Sequence, residues 1–416
     1  MGRVRRRGHP AGGSRLPAGF GVLWTTVAID LVGFGIVLPI LPLYAKDFGA
    51  DPWLATAIVA TFSLAQFLAA PWWGRLSDRI GRKPVLVMAL CGTAIGSLMT
   101  GLAGSLPILF LGRAIDGASG SSYAIAQAAV SDIAEPSERP RLLGLLAAAF
   151  GVGFVAGPIL GGLASLGSRE LPFYVAAALA AANAVAASIR LRETREPREA
   201  TDGHTAEAGR VRARWVPPTR VFREPGGATV ARLAVLGLVA MLAFSGFEST
   251  FALLLDDRFG LHDGAIYLLF AVVGIALVFV QGRLVSTAHR RAGASSVVLR
   301  AAVALDAVGL ALLAIDAGWW SLAPALALLV VGQGMLGPTL SSAVAGVVAS
   351  RRRGEALGVQ QSAGALGRVS GPLIAGALFQ GIGPGAPYLV AAVLAAGCLP
   401  LVPDLTADLG TAVASG

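Results

Sequence analysis

Six ionisable residues of this 416-residue chain sit inside long apolar runs: Asp30, Arg113, Asp116, Glu248, Asp306 and Arg368. Charge within hydrocarbon is costly, so such a residue usually faces a cavity, a partner or an ion path. Arg113 and Asp116 are three apart, which places them on one helix face where they can pair. Asp30, in AIDLVGFGIVLPILPLY, is unpaired. An acid held in a low-dielectric cavity can exchange protons near neutral pH. The six are therefore the expected proton-coupling and central-cavity groups, beside a purely structural ion-pair reading for Arg113 with Asp116. Polar and aromatic residues of the same runs, namely Gln66, Tyr123, Gln127, Phe244, Phe247, Gln333 and Gln361, are candidates to line that cavity. A mostly apolar pocket with a few polar groups suits an amphipathic organic molecule.

Other chemistry finds little support. There is no Walker A motif and no nucleophilic triad pattern. His9, His204, His262 and His289 are scattered, and Cys91 and Cys398 stand alone in apolar runs, so no metal-ligand spacing appears. We expect no enzyme activity, no cofactor and no metal.

The elements that must position these groups follow from composition. Hydrophobic residues make up 55% of the chain and charged residues only 14%, too few charges to cover a soluble domain of this size. Apolar runs of spanning length recur at about 19–42, 54–73, 84–104, 106–130, 142–166, 171–190, 229–253, 265–283, 295–315, 320–347, 356–380 and 386–402. Alternating ten-residue barrel strands are absent. The first run is too long for a cleavable leader and is expected to span. The expected class is an all-α integral membrane protein.

The net charge of +9 has a definite placement. All but five of the 33 Lys and Arg residues fall in the head before the first run or in every second connection with its membrane flanks. The exceptions are Lys46, Arg169 and Arg258 in the other connections, and Arg113 and Arg368 within runs. The positive-inside rule then places both termini in the cytoplasm. The polar stretch RETREPREATDGHTAEAGRVRARWVPPTRVFREPGG is a solvated linker, whose RVRARW portion is expected near anionic lipid rather than nucleic acid. The expected organisation is a basic head (1–18), six helices (19–190), a linker (191–228), six helices (229–402) and a cytoplasmic tail (403–416). Gly74-Arg75-Leu76 recurs as Gly282-Arg283-Leu284, and Arg82-Lys83 aligns with Arg290-Arg291, although Ser286 stands where the first copy has Asp78. Parallel repeats of this kind place a substrate path between two halves.

Two motifs point to moving parts. In GRLSDRIGRKPVLV, residues 74–87, Gly74 and Gly81 permit close approach or unusual dihedrals. Asp78 can pair with Arg79 or Arg82, or sit against a helix N-terminus. In GVGFVAGPILGG, residues 151–162, Gly153, Gly157 and Gly161 clear one surface and Pro158 removes a helical hydrogen bond. A close, bendable contact between the halves is expected there. Trp72, Trp73, Trp319 and Trp320 lie near run ends and are expected in interfacial belts.

With these motifs the chain resembles, over nearly its whole length, the major facilitator superfamily, and specifically its twelve-helix drug:proton antiporters, which include bacterial tetracycline-efflux and multidrug transporters. GRLSDRIGRKPVL matches the signature of the loop between the second and third helices, LGRAIDGASGS that of the fourth helix, and GVGFVAGPILGG that of the fifth helix in antiporters. DLVGFGIVLPILPLY is similar to the first helix of the tetracycline and multidrug group. The resemblance implies twelve transmembrane helices in two pseudo-symmetric six-helix bundles. It implies a monomer in the inner (plasma) membrane that exports a hydrophobic or amphipathic molecule, such as tetracycline or a related metabolite, in exchange for protons. It also implies that Asp78 locks the outward-facing state with Arg82 and Asp132, that Arg113 takes part in proton coupling, and that Asp30 serves coupling or cation recognition. The acid missing from the second loop copy and the presence of Asp116 beside Arg113 depart from that pattern. Uptake or facilitated diffusion of a sugar or other metabolite, and a non-transporting scaffold or receptor, are the other readings.

Overall fold

A computed structural model describes residues 16–135, 137–194, 222, 226–284, 295–349 and 352–404. The arginines at 3, 5, 6, 7 and 15, most of the linker with RVRARW, Ser286, Arg290, Arg291, Arg351, all but two residues of the tail, and the histidines at 9, 204 and 289 lie outside the described residues. The described chain is helical throughout. Its helices are α1 (Phe20–Val37), α2 (Leu41–Asp47), α3 (Pro52–Ile80), α4 (Arg82–Gly101), α5 (Leu106–Ser119), α6 (Ser122–Ile133), α7 (Arg139–Ser165) and α8 (Leu171–Arg190). There follow α9 (Gly227–Phe259), α10 (Asp263–Phe279, prolonged by a π turn, Val280–Leu284), α11 (Ser295–Ala314), α12 (Trp319–Val347), α13 (Arg353–Gly381) and α14 (Ala386–Gly397).

Among the described residues, nine helices are long and apolar enough to cross a membrane. The departures from twelve uninterrupted runs have local causes. The run 106–130 is two helices, because Gly120 leaves helical geometry at ψ 43°. The first run breaks after Val37, where Pro39 has no N–H to give and Pro42 opens α2. Helix α13 is long but carries RGEALGVQQ and Arg368, so it falls short in hydropathy, and α14 is a short apolar helix. Elsewhere the ends are firmly set. The Asp51 side chain accepts the Leu54 amide at 2.8 Å with Pro52 in the first turn of α3, and Gly260 closes α9 in the left-handed region at φ 59°.

Helices α1 to α8 pack chiefly on one another, through α1 with α7 and α8, α4 with α5 and α8, and α3 with α5. Helices α9 to α14 do likewise, through α9 with α13 and α11 with α12 and α14. The two sets meet along α3–α13 and α7–α10. The apolar core is distributed unequally. At the end carrying Asp51, one cluster with Tyr44, Phe173, Phe251, Tyr267 and Tyr388 takes in both sets. At the end carrying Arg82, each set has its own, around Leu23, Leu86 and Leu146 in the first and Leu233, Val303 and Leu340 in the second. Of the four tryptophans expected in interfacial belts, Trp72, Trp319 and Trp320 are exposed. Trp73 instead turns inward and donates its indole N–H to the Ala118 carbonyl at 2.5 Å.

Candidate transport cavity

A cavity of about 340 Å³ is walled almost wholly by the first set. Phe34, Phe62, Tyr123 and Phe150 give it aromatic sides, and Asp30, Gln66 and Asp116 give it polar ones. Among the described residues beyond 190, only Ala365 and Arg368 of α13 reach it. The α5–α6 break builds its polar edge. Gln66 donates to the Gly120 carbonyl freed by the break, and the Ser122 hydroxyl at the start of α6 donates to the Asp30 carboxylate. Irregular backbone at membrane depth is tolerated where protein groups satisfy it in this way.

Arg113 and Asp116 pair within α5 at 2.6 Å, both buried. The guanidinium also lies 4.6 Å from the centre of the Phe62 ring, while its Nε has no hydrogen-bond partner among the described residues. Glycine makes the burial feasible: a Cβ at Gly96 of α4 would come within 2.7 Å of the Asp116 Cβ. Arg113 also lines a small pocket with Glu248 of α9 and Arg368. Glu248 is buried and its Oε1 has no hydrogen-bond partner among the described residues.

The remaining expected residues are dispersed. Asp306, expected in the central set, lies instead within the second set, where Gln333 donates to it at 3.0 Å and Gly332 of α12 makes room for its carboxylate. It shares a small space with Cys398 and Val303, away from Asp30. Phe244, Phe247 and Gln333 line a different pocket of about 20 Å³ in the second set. Gln127 and Gln361 do not line the large cavity, and Gln361 is exposed. Of the seven lining candidates, the cavity therefore gathers Gln66 and Tyr123. Helix rotation decides this, and composition does not set it.

At the α3–α4 corner the structure brings Asp78, Arg82 and Asp132 together. Arg82 meets Asp78 at 2.9 Å and Asp132 at 2.8 Å, and donates to the Ser77 hydroxyl at 3.1 Å. Gly81 turns the corner at φ 104°. Gly74 and Arg79 are exposed there, with open space around Gly74. Sequence reasoning missed Glu193, whose carboxylate accepts the Arg82 and Lys83 amides at 2.8 and 3.1 Å and so caps α4 from the start of the linker. The expected between-halves glycine contact of α7 is only partly that. Gly153 and Gly157 pack against Leu31 and Gly35 of α1, in the same set, and Gly161 meets Tyr267 of α10 across the boundary. Pro158 is buried within α7.

The opposite end holds a polar network that local spacing did not reveal. Arg169, between α7 and α8, binds Asp263 of the second set at 2.7 Å and Asp47 of the first at 2.6 Å. The hydrogen bond with Asp263 foremost holds the guanidinium above its ordinary pKa, against partial burial. Lys46 meets Asp256 at 2.5 Å, and Gln380 joins Asp51 and the Trp53 amide at 3.1 and 3.2 Å. The Tyr267 hydroxyl donates to the Ile36 carbonyl at 2.8 Å. Apart from the Arg169–Asp47 pair, which lies within the first set, each of these contacts crosses from one set to the other.

A helical membrane protein whose two sets of helices enclose a cavity with buried ionisable groups has the make-up of a small-molecule carrier. Comparison with known proteins fixes the family. The sequence model of the Major Facilitator Superfamily matches residues 23–305 and 288–407, and the chain belongs to that superfamily. It is 33% identical to the class C tetracycline resistance protein of Escherichia coli, over 91% of this chain and 95% of the relative. It is 29% identical to major facilitator superfamily domain-containing protein 10 of Homo sapiens, over 86% of each. The crystal structure of that human protein, an organic anion transporter, superposes with a TM-score of 0.69 at 25% identity, covering 92% of this chain and 99% of that one. A peptide transporter of the POT family shares the fold at a TM-score of 0.75 and 16% identity, covering 95% of each chain. The protein is thus a multi-pass membrane transporter, not an enzyme, and it moves a small molecule by alternating access, as a secondary-active or facilitative carrier.

Proposed function

We propose that this carrier exports a hydrophobic or amphipathic small molecule, a tetracycline-like drug or a related metabolite, in exchange for protons. The observation that carries the reading is Asp30: a carboxylate in the cavity wall, hydrogen-bonded by Ser122 and without a cationic partner among the described residues. A proton and a substrate donor would compete for it, which is the requirement for antiport. The buried Arg113–Asp116 pair beside it supplies a second group whose pairing changes with charge in the cavity. The similarity to tetracycline resistance proteins supports a drug as cargo.

In this reading the breaks at Pro39 and Gly120 interrupt single spans, so the chain crosses the inner membrane twelve times in two six-helix bundles, with both termini cytoplasmic, and works as a monomer. The end carrying Arg82 then faces the cytoplasm. The shared core and the Arg169, Lys46 and Gln380 contacts close the outer end. Arg82 with Asp78 and Asp132 serves as the switch on the cytoplasmic side. The test is drug-triggered proton movement in proteoliposomes, for wild type and Asp30→Asn. We expect a signal with wild type and its loss in the variant. An undiminished signal in Asp30→Asn, or none in wild type across a broad drug and metabolite panel, refutes the reading.

A further inference from the structure

The large cavity holds a second unmet charge. Arg368 is half-buried on α13 and forms no hydrogen bond or ion pair in the described structure. Glu248 lies within its electrostatic reach but makes no ion pair with it. A guanidinium without a hydrogen-bonded partner beside aromatic walls is costly to keep, and a ligand's anion would relieve that cost. Across the same space Asp30 is a carboxylate with one hydroxyl donor and no cation. Arg113 cannot neutralise it, being bound to Asp116. A neutral or singly charged ligand satisfies at most one of these groups, while a ligand of two opposite charges satisfies both. The two also belong to different sets of helices, α1 and α13, so such a ligand would tie the sets together from inside the cavity.

We propose that Arg368 is the anion-recognition residue of the cavity, and that the substrate is an aromatic zwitterion whose acidic group binds Arg368 while its protonated amine competes with the proton for Asp30. Arg presents a planar fork suited to a carboxylate or enolate. The aromatic side chains Phe34, Phe62, Tyr123 and Phe150 take the ring system between the two charges. A cavity of about 340 Å³ is within the range that holds a drug-sized molecule. Glu248 stands within electrostatic reach without a hydrogen bond to Arg368, which leaves the guanidinium fork open to the ligand's anion.

This inference rests on the export reading above, and the experiment separates the two. The probes are norfloxacin (a zwitterion), its ethyl ester (cation only) and its N-acetyl derivative (anion only), which share one scaffold. Binding to detergent-purified protein is read by thermal shift, and exchange by proton movement in proteoliposomes. The zwitterion is expected to bind best. Arg368→Gln should weaken it about tenfold to a hundredfold, the loss of one charged hydrogen-bonded contact, and should leave the ester unchanged. Arg368→Lys should restore part of the loss. Arg368→Glu should reverse the order in favour of the ester, a gain that misfolding cannot produce. If the ester binds as well as the zwitterion and drives Asp30-dependent protons regardless of Arg368, the inference fails while the export reading stands. Absence of zwitterion binding to wild type also overturns the inference. Loss of proton movement with every substrate, despite zwitterion binding that depends on Arg368, removes the export reading and leaves the inference.

Discussion

A Cβ at Gly157 would stand 2.6 Å from the Gly35 Cα and 2.9 Å from the Ile36 amide nitrogen, both backbone atoms that cannot swing aside. Gly144, one helical stretch earlier in α7, has nothing within 4 Å. Gly157→Ala is therefore expected to destabilise by about 1–3 kcal/mol through overpacking. Gly144→Ala should be neutral or stabilising by up to about 1 kcal/mol through helix propensity. Melting in detergent compares the two, and equal melting temperatures would contradict the assigned α1–α7 contact. Individual residues of this kind were partly legible in the sequence. Asp30, Arg113, Asp116 and Arg368 stood out because charge in hydrocarbon needs a reason. Ser122 did not, since a serine in an apolar run has many bland uses, and its bond to Asp30 spans 92 residues of chain. Asp306 looked equivalent to the others by type and depth, and only the facing Gly332 shows that it is enclosed elsewhere.

Helix boundaries were legible where turn chemistry is local. Gly81 ends α3, although the apolar run of 54–73 stops short of it because α3 continues as a polar helix through Arg75 and Arg79. The interruption at Gly120 was hidden by an unbroken hydropathy signal, because a break stabilised by Gln66 and Ser122 leaves composition untouched. The cap of α4 was hidden for another reason: Glu193 comes 111 residues after the amide it accepts. Its carboxylate satisfies two of the four orphan amides and faces the positive end of the helix. Glu193→Ala is expected to cost about 0.5–1 kcal/mol, kept low by solvent exposure, and to loosen the neighbouring Arg82 network. The readout is protease nicking at the α3–α4 corner, which should speed up in Glu193→Ala and less so in Glu193→Gln. An unchanged nicking rate in Glu193→Ala would argue against the cap.

Across the whole molecule, the shared apolar cluster and the cross-set polar contacts fall at the same end, so that end is held by burial as well as by charge. Burial dominates this closure, because the ion pairs there are partly exposed and each contributes about 0–1 kcal/mol. Alternating access requires this end to part. A disulfide between Asp51→Cys and Gln380→Cys, in a background with Cys91 and Cys398 replaced, is expected to form under oxidation and to stop transport, with recovery on reduction. Transport that continues at full rate with the disulfide formed would show that this end need not open. The chain's division by the polar stretch after residue 190 could be read from composition alone. Which end was closed could not, because Lys46 and Arg169 find partners 210 and 94 residues away.

The lopsided walls of the cavity bear on how such a carrier diversifies. Nearly every side chain that lines the cavity comes from α1 to α7, whereas α13 lends Ala365 and Arg368. Cargo shape and apolar fit should therefore be inherited mainly through the first half of the gene, while recognition of the cargo's anionic group stays with Arg368 in the second. A chimera that joins the part of a relative with a different cargo aligned with residues 1–190 to residues 191–416 of this chain is expected to take up the relative's ring system, and the reciprocal chimera to take this protein's only where the relative keeps an arginine at the position of Arg368. Counting resistance or uptake profiles of the two recombinants would show whether half of the coding sequence can drift towards new molecules while the other half is held to the mechanics of opening and closing.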